Sequence, residues 1–431
     1  MITRWAQGAA LLLVVANFCS GAVPEGKYAR QLQTECRELI ADAVSRPYGI
    51  AWGEAPAVVR GGTAARPVVM SHSASPAAGL ILLLAGELLN EQSLKDAAAR
   101  SAAGVVAAQS PSGMIAPIAL FGHSPDAHNI DTPFPDRSST AAGMGLILAV
   151  LESQPTQDPE LVKAVEAASK WLREQQISPE GGWARAEADG SQSVRLDESD
   201  YRNCTIVKLL EAAVLNSDSA RTAAGLALQH LRRLQLNDVS DLLPTAQLWT
   251  TQYDFEGVPM SKDDRPAVDF LASRYALQAM LAGAVVLQER GSVAELTRVA
   301  QRIEQLRRPD GNWGHFETSR GTNDVGGAGA DFGLPNVLRS AAAMKNLGPD
   351  RYLQLLNRGW RVNAQLAATV VGLTDDPLSL SWPVARSEVA GYIERRASEW
   401  KTLDSPPPVQ LQQRTARLWL LLQRAKLEQM Q

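Results

Sequence analysis

The residues best equipped for chemistry lie between Trp183 and Arg265. Pro244-Thr245 is followed by Trp249, Gln252, Tyr253 and Asp254, then by Lys262 and Arg265. Aromatic faces stack on sugar rings, while amide and guanidinium groups bind hydroxyls and carboxylates. Trp183, Trp249, Gln252, Tyr253, Lys262 and Arg265 therefore suit a ligand with rings, hydroxyls and negative charge. Acids crowd the same stretch: Asp197, Glu198, Asp200, Asp254, Asp263 and Asp264. They could hold a metal, or they could solvate loops. His123, Asp126, His128, Asp131 and Asp136 form another polar group, but their spacing fits no metal template. The glycine-rich run from Asn323 to Gly329 lacks the Lys-Ser/Thr ending of a phosphate loop.

Helices must position these groups. Apolar residues recur with helical spacing over 27–44, 76–90, 92–109, 138–152, 159–176, 201–215, 219–236, 266–289, 292–307, 334–347, 350–371, 382–403 and 408–429. Strand-like alternation hardly occurs. The joins alternate in kind. Asn90-Glu91, Asn216-Ser217-Asp218, Arg290-Gly291 and Gly348-Pro349 are short. The joins at 110–137, 177–200, 237–265 and 309–333 are long and rich in Gly, Pro and polar residues. Short joins make antiparallel neighbours, and long ones carry function. The expected fold is all-α: an (α/α)6 toroid of about six helical hairpins with long loops on one face. An open solenoid of helix pairs is the competing architecture.

Two loops share a turn. Gln175-Gln176 leads to Gly181-Gly182-Trp183, and Gln305 leads to Asp310-Gly311-Asn312-Trp313. This turn resembles the Gln-Gly-Trp repeats of squalene cyclases and prenyltransferase β-subunits, where it ties helix ends together. That likeness implies a scaffold role for Trp183 and Trp313. Asp263-Asp264 is not the acid motif of a terpene cyclase.

A longer stretch, about a third of the chain, resembles the pectic acid lyase family. The residues that carry it are Trp171-Leu172 with Gln175, Gly181-Gly182-Trp183, Tyr201 to Val207, Leu231 to Gln235, Pro244-Thr245, Trp249-x-x-Gln252-Tyr253-Asp254, Pro259 and Arg265. The resemblance implies β-elimination on an acidic, pectate-like polysaccharide. It implies Arg265 as the base, and Trp183, Trp249, Gln252, Tyr253 and Lys262 as substrate contacts. It further implies calcium, with Asp200 and Asp254 as candidate ligands. The chain departs from the family pattern at Asn203, at Tyr253 and after Arg265, where Pro266-Ala267-Val268-Asp269 stands. Two alternatives remain open. One is a glycoside hydrolase using paired Asp residues, such as Asp197, Asp200 and Asp254. The other is a non-catalytic toroid that binds a glycan or a protein partner.

Composition sets the surroundings. With 42 Lys and Arg against 46 Asp and Glu, the net charge is −4, which points to no nucleic-acid partner. Arg4, the apolar run from Ala9 to Val15, and Ser20-Gly21-Ala22 read as a signal peptide over 1–22. The apolar run is too short to span a bilayer. Residues 23–431 are then one exported toroid domain, periplasmic or extracellular and expected to be a monomer. Cys36 and Cys204 could pair in an oxidising compartment or stay apart as buried thiols.

Overall fold

The computed structural model describes residues 26–53, 58–60, 63–122, 128–129, 137–187, 189–196, 205–235, 248–260 and 401–429, with isolated positions between 268 and 323. The expected helices at 292–307, 334–347 and 350–371 lie outside the described residues, as does the segment 1–22. No helix among the described residues is long and apolar enough to cross a membrane.

Among the described residues, eight helices make four hairpins. They are α1 (Lys27–Ala41), α2 (Ser75–Leu88), α3 (Gln92–Ala107), α4 (Arg137–Ser153), α5 (Pro159–Glu174), α6 (Thr205–Val214), α7 (Asp218–Leu234) and α8 (Leu411–Gln429). α2 pairs with α3, α4 with α5, and α6 with α7. α1 pairs with α8, so the two ends of the chain build one hairpin together. The helices form two layers. α8, α2, α4 and α6 succeed one another on the inside, and α1, α3, α5 and α7 pack outside them. Burial explains the sorting. α2, α4 and α6 are apolar nearly all round and buried on every side. α1, α5 and α7 bury one stripe at helical spacing, for example Ala220, Ala223, Ala224, Ala227, Leu228, Leu231 and Leu234. The return of α8 to α1 and α2 makes this an α/α toroid and not an open solenoid.

Local chemistry sets the joins. Asn90 and Asn216 take left-handed backbone conformations, with φ of 51° and 68°, and end α2 and α6. Asp158 caps α5, accepting from the Glu160 N–H at 2.9 Å, with Pro159 in the first turn. Ser217 caps α7 through the Ala220 N–H at 3.2 Å. Cys36 is a free, buried thiol on α1.

The near-absence of strands is an expectation the structure corrects. The long joins fold into short antiparallel strands: β1 (Val44–Arg46), β2 (Gly49–Ala51), β3 (Val58–Arg60), β4 (Thr63–Val69), β5 (Ile118–Phe121), β6 (His128–Asn129), β7 (Arg185–Ala186), β8 (Gln192–Arg195), β9 (Gln252–Asp254), β10 (Val268–Asp269), β11 (Phe316–Thr318) and β12 (Gly321–Asn323). They assemble as β1-β2, β3-β4-β5-β6, β7-β8-β9 and β10-β11-β12. Eleven of these twelve strands run two to four residues, too short to display alternation, and β4, seven residues long, reads Thr-Ala-Ala-Arg-Pro-Val-Val without it. The joins before α2, α4 and α6 lead into the N-termini of inner helices, and β9 pairs with β8 in the last of these joins. The long loops and their sheets therefore share one end of the ring.

Candidate functional site

The loops at this end repeat one clamp. Trp52 Nε1 donates to Leu39 O at 2.7 Å, Trp183 Nε1 to Leu172 O at 3.0 Å, and Trp249 Nε1 to Leu231 O at 2.8 Å. Each bond occupies a carbonyl near the C-terminus of the preceding outer helix, where such groups lack helical partners. At Trp52 and Trp249 a hydroxyl then fixes the same loop residue to the helical residues that follow. Ser75 Oγ accepts from Trp52 N–H at 3.0 Å and donates to Trp52 O at 3.4 Å. Ser273 does the same for Trp249 at 3.1 and 3.2 Å. Thr140 does it for Ile115 at 3.0 and 3.4 Å. These partners are 23, 24 and 25 residues apart, so the clamp is an internal repeat.

Glutamine and glycine complete it. Gln176 Nε2 donates to Gly181 O at 2.6 Å and to Ala223 O on α7 at 2.8 Å. Gln109 does likewise to Gly113 O at 3.0 Å and Ala164 O on α5 at 2.9 Å. Gly181 has φ of +88°, and a Cβ there would lie 2.5 Å from Leu226 O. Only glycine combines that conformation with that approach. The scaffold reading of the Gln-Gly-Trp turn at 176–183 therefore holds.

The clamp corrects part of the expected site. Trp183 is 2% exposed, and Trp249 and Tyr253 are fully buried. Tyr253 Oη accepts from Thr250 N–H at 2.9 Å. Rings sunk in the core with their polar atoms bonded to backbone cannot stack on a ligand. Gln252 and Asp254 are half-buried on β9 and stay at the surface. Arg265, Lys262 and Asp200 lie outside the described residues. Asp254 Oδ1 accepts from Val258 N–H at 2.7 Å and so shapes its own turn. No group of three or more His, Cys, Asp or Glu among the described residues is placed to hold a metal.

What the structure adds is one polar face. In β7-β8-β9, Arg185 faces Ser193, Ser193 faces Asp254, and Arg195 faces Gln252. Directly opposed residues share a face, and alternate residues along a strand do too. Arg185, Ser193, Arg195, Gln252 and Asp254 therefore lie on one side. Val194 and Tyr253 lie on the other and are buried. Glu187 joins the polar side. Its Oε1 accepts from the Ser193 hydroxyl and from Gln252 Nε2, the latter at 3.5 Å. Oε2 takes part in neither bond. The turn that places Glu187 is itself fixed. Glu187 N–H donates to Ser191 O at 2.9 Å, and Asp189 accepts from the Ser191 hydroxyl and N–H at 2.6 and 2.9 Å. Those bonds from Ser191 hold the Asp189 carboxyl below its ordinary range.

The sheet is tied to the inner helices. Arg137, the first residue of α4, donates from Nη2 to Ala184 O at 2.8 Å beside β7. Leu196 N–H donates to Thr251 O at 2.8 Å, and Trp249 links β9 to Ser273. Arg185, Glu187, Ser193 and Arg195 were absent from the sequence-based site. Asp189-Gly190 was the signal for them, because that dipeptide marks a hairpin turn.

No family model matches the chain, and no curated protein matches it. Among solved structures, the chain is similar to cellobiose 2-epimerase from Spirochaeta thermophila DSM 6192. That match has 13% identity and a TM-score of 0.46, covering 92% of this chain and 97% of the other. It is also similar to an alpha-amylase from Clostridium perfringens, at 13% identity and a TM-score of 0.45, covering 94% and 99%. Likeness at this level says nothing of the chemistry here, which rests on the site itself.

Proposed function

We propose that this chain is a carbohydrate-acting enzyme whose site takes an acidic glycan, with Glu187 as the acid–base carboxylate. The carrying observation is the Glu187 arrangement. One carboxylate oxygen is pinned by Ser193 and Gln252, and the other takes part in neither bond. A positioned carboxylate of this kind suits proton transfer. Arg185 and Arg195 share its face and match a sugar carboxylate. The inner helices α2, α4 and α6 start at this end, and their N-termini favour negative charge. Export, and action as a monomer, belong to the same proposal, because acidic polysaccharides are met outside the cell.

Two reactions fit. Hydrolysis needs a second carboxylate. Asp254, opposite Ser193 on the next strand, is the described candidate. β-Elimination needs a base and a group that neutralises the sugar carboxylate. The two arginines serve the second need, and the pectic acid lyase resemblance adds Arg265 and Lys262. Calcium belongs to that reading, with Asp254 and Asp200 as its proposed ligands.

Oligogalacturonates and other uronate oligomers test the proposal. New reducing ends without ultraviolet absorbance indicate hydrolysis, and absorbance of an unsaturated product indicates elimination. Glu187→Gln is expected to lower turnover by ~10²–10⁴ with the fold intact. Unchanged turnover in that variant would remove Glu187 from the mechanism. Arg265→Ala lowers turnover comparably under elimination and leaves it near wild type under hydrolysis. Binding without turnover would favour a glycan-binding module.

A further inference from the structure

Beyond Asp254 the polar face changes character. Tyr253 pairs with Pro259, Asp254 N–H donates to Val258 O at 2.9 Å, and Met260 N–H donates to Gln252 O at 2.9 Å. The chain thus folds back as one more edge strand. By that register Val258 stands opposite Asp254, and Met260 stands opposite Gln252. Both share the face that carries Glu187 and the arginines. Val258 is 57% exposed, Met260 45%, and Phe255 at the turn 38%. The described residues include five large apolar side chains with comparable exposure, and three of them fall in these six positions. The patch is therefore concentrated and abuts the charged site.

The mounting is rigid. Trp249 and Tyr253 anchor the hairpin in the core, and the Asp254 carboxylate bonds the turn. An added peptide strand would find no donor along this edge. Val258 N–H is taken by Asp254, Met260 N–H by Gln252, and Pro259 has none. A ligand must instead lie on the face. From the Arg195 row through Gln252 to Met260 spans two strand spacings, roughly 10 Å. That is about the length of a disaccharide. Pyranose rings present C–H faces as well as hydroxyls, so a glycan crossing the sheet would meet charge first and apolar surface next.

We propose that Phe255, Val258 and Met260 form a second subsite, which holds the C–H face of the sugar ring next to the one bound at Glu187, Arg185 and Arg195. This inference rests on the acidic-glycan reading above. Calorimetric titration with galacturonic acid, its dimer and its trimer tests it, comparing wild type with the Val258→Ser/Met260→Ser variant. All three residues are exposed, so the variant should keep its fold; Phe255→Ser alone is a second probe. The expected result is unchanged affinity for the monomer and about tenfold weaker binding of dimer and trimer, the effect of losing part of an apolar ring contact. Unchanged dimer and trimer binding would overturn the subsite alone and leave the function standing. Equal weakening for all three ligands would also overturn it, because the patch would then act through the fold. Wild-type protein that binds no uronate oligomer would overturn both readings. A dimer of the protein that the double variant abolishes, with sugar affinity untouched, would assign the patch to a second copy of this chain.

Discussion

The junction of α5 with α7 and the junction of α1 with α8 do the same work by different chemistry. Between α5 and α7 the ties each have a neutral partner: the Ser217 hydroxyl donates to the Glu166 carboxylate, and Arg233 donates to Glu180 O. Gln176 spans two backbone carbonyls, and Gly181 lets the loop lie against Leu226 O. Between α1 and α8 the ties are ionic. Arg417 grips Glu35 through Nε and Nη2 at 2.9–3.1 Å, and both side chains are buried. Arg417 also donates to Thr402 O and Leu403 O. Arg414 pairs with Asp42, Lys27 pairs with Asp404 at 2.8 Å, and the Glu428 carboxylate caps the N–H groups of Lys27 and Tyr28 at 2.8 and 2.9 Å. Neighbouring hairpins arrive already aligned by the loop between them. Glu35 and Arg417 are 382 residues apart, so no loop aligns α1 with α8. A buried charge pair in a single matching register does that instead. Specificity, and not net stabilisation, is the best-supported use of such pairs.

The largest effect should come from breaking the ionic junction on one side. Arg417→Met leaves the Glu35 carboxylate buried without its partner and is expected to cost about 3–5 kcal/mol in denaturant unfolding. Glu35→Leu combined with Arg417→Met should recover much of that loss. A double variant as unstable as the single one would show that the pair stabilises outright, and the contrast between the junctions would lose its basis.

A smaller effect tests the junction of α5 with α7. Gly181→Ala must hold a side chain at φ of +88° against Leu226 O, and should lower stability by about 1–3 kcal/mol. Gly190 has nearly the same φ, +84°, with nothing within 4 Å. Gly190→Ala should therefore cost only about 1 kcal/mol. Equal melting temperatures for the two variants would mean that the close approach to α7 contributes nothing.

A third set of effects is in pH. His230 on α7 lies against Gly182 at the junction with α5, and burial pushes it down to about 4. Its folded value is below its unfolded one near 6.5, so it adds stability above pH 6.5 that is lost as pH falls toward 4. Glu211 on α6 has the opposite sign. Burial lifts it to about 7, with Lys208 opposing and Glu152 on α4 adding to the rise. Its stabilisation is complete below pH 4.5 and is lost as pH rises through 7. Thermal melts across this range should show His230→Leu flattening the acid limb and Glu211→Gln the alkaline limb. A Glu211→Gln variant that still loses stability from pH 4.5 to 7 would place the titration elsewhere.

Helices were legible in the sequence because their apolar period is long enough to repeat. The α2–α3 and α6–α7 joins were legible because Asn90 and Asn216 suit left-handed helix ends. The turn at Gln176, Gly181 and Trp183 was legible as scaffold, but the use of Trp249 and Tyr253 was not. An aromatic residue on a long loop looks the same whether it faces a sugar or the core. The polar face of β7-β8-β9 was hidden because its strands are shorter than any alternation could reveal. The Ile115 clamp was hidden because an aliphatic residue stands where the other loops have Trp. The pairing of α1 with α8 was hidden because nothing local in either helix encodes a partner at the far end of the chain.

That last pairing has a consequence for the order of synthesis. α1 leaves the ribosome long before α8. Until α8 emerges, Ala29, Leu32, Cys36 and Leu39 lack their main cover, which Leu418, Leu421, Leu422 and Ala425 help to supply. The nascent chain therefore carries an open apolar stripe while everything between α1 and α8 is made. A chain stopped before Leu411 keeps that stripe in water, which marks it for chaperones and proteases. The pairing of α8 with α1 thus reports on whether the ring has closed.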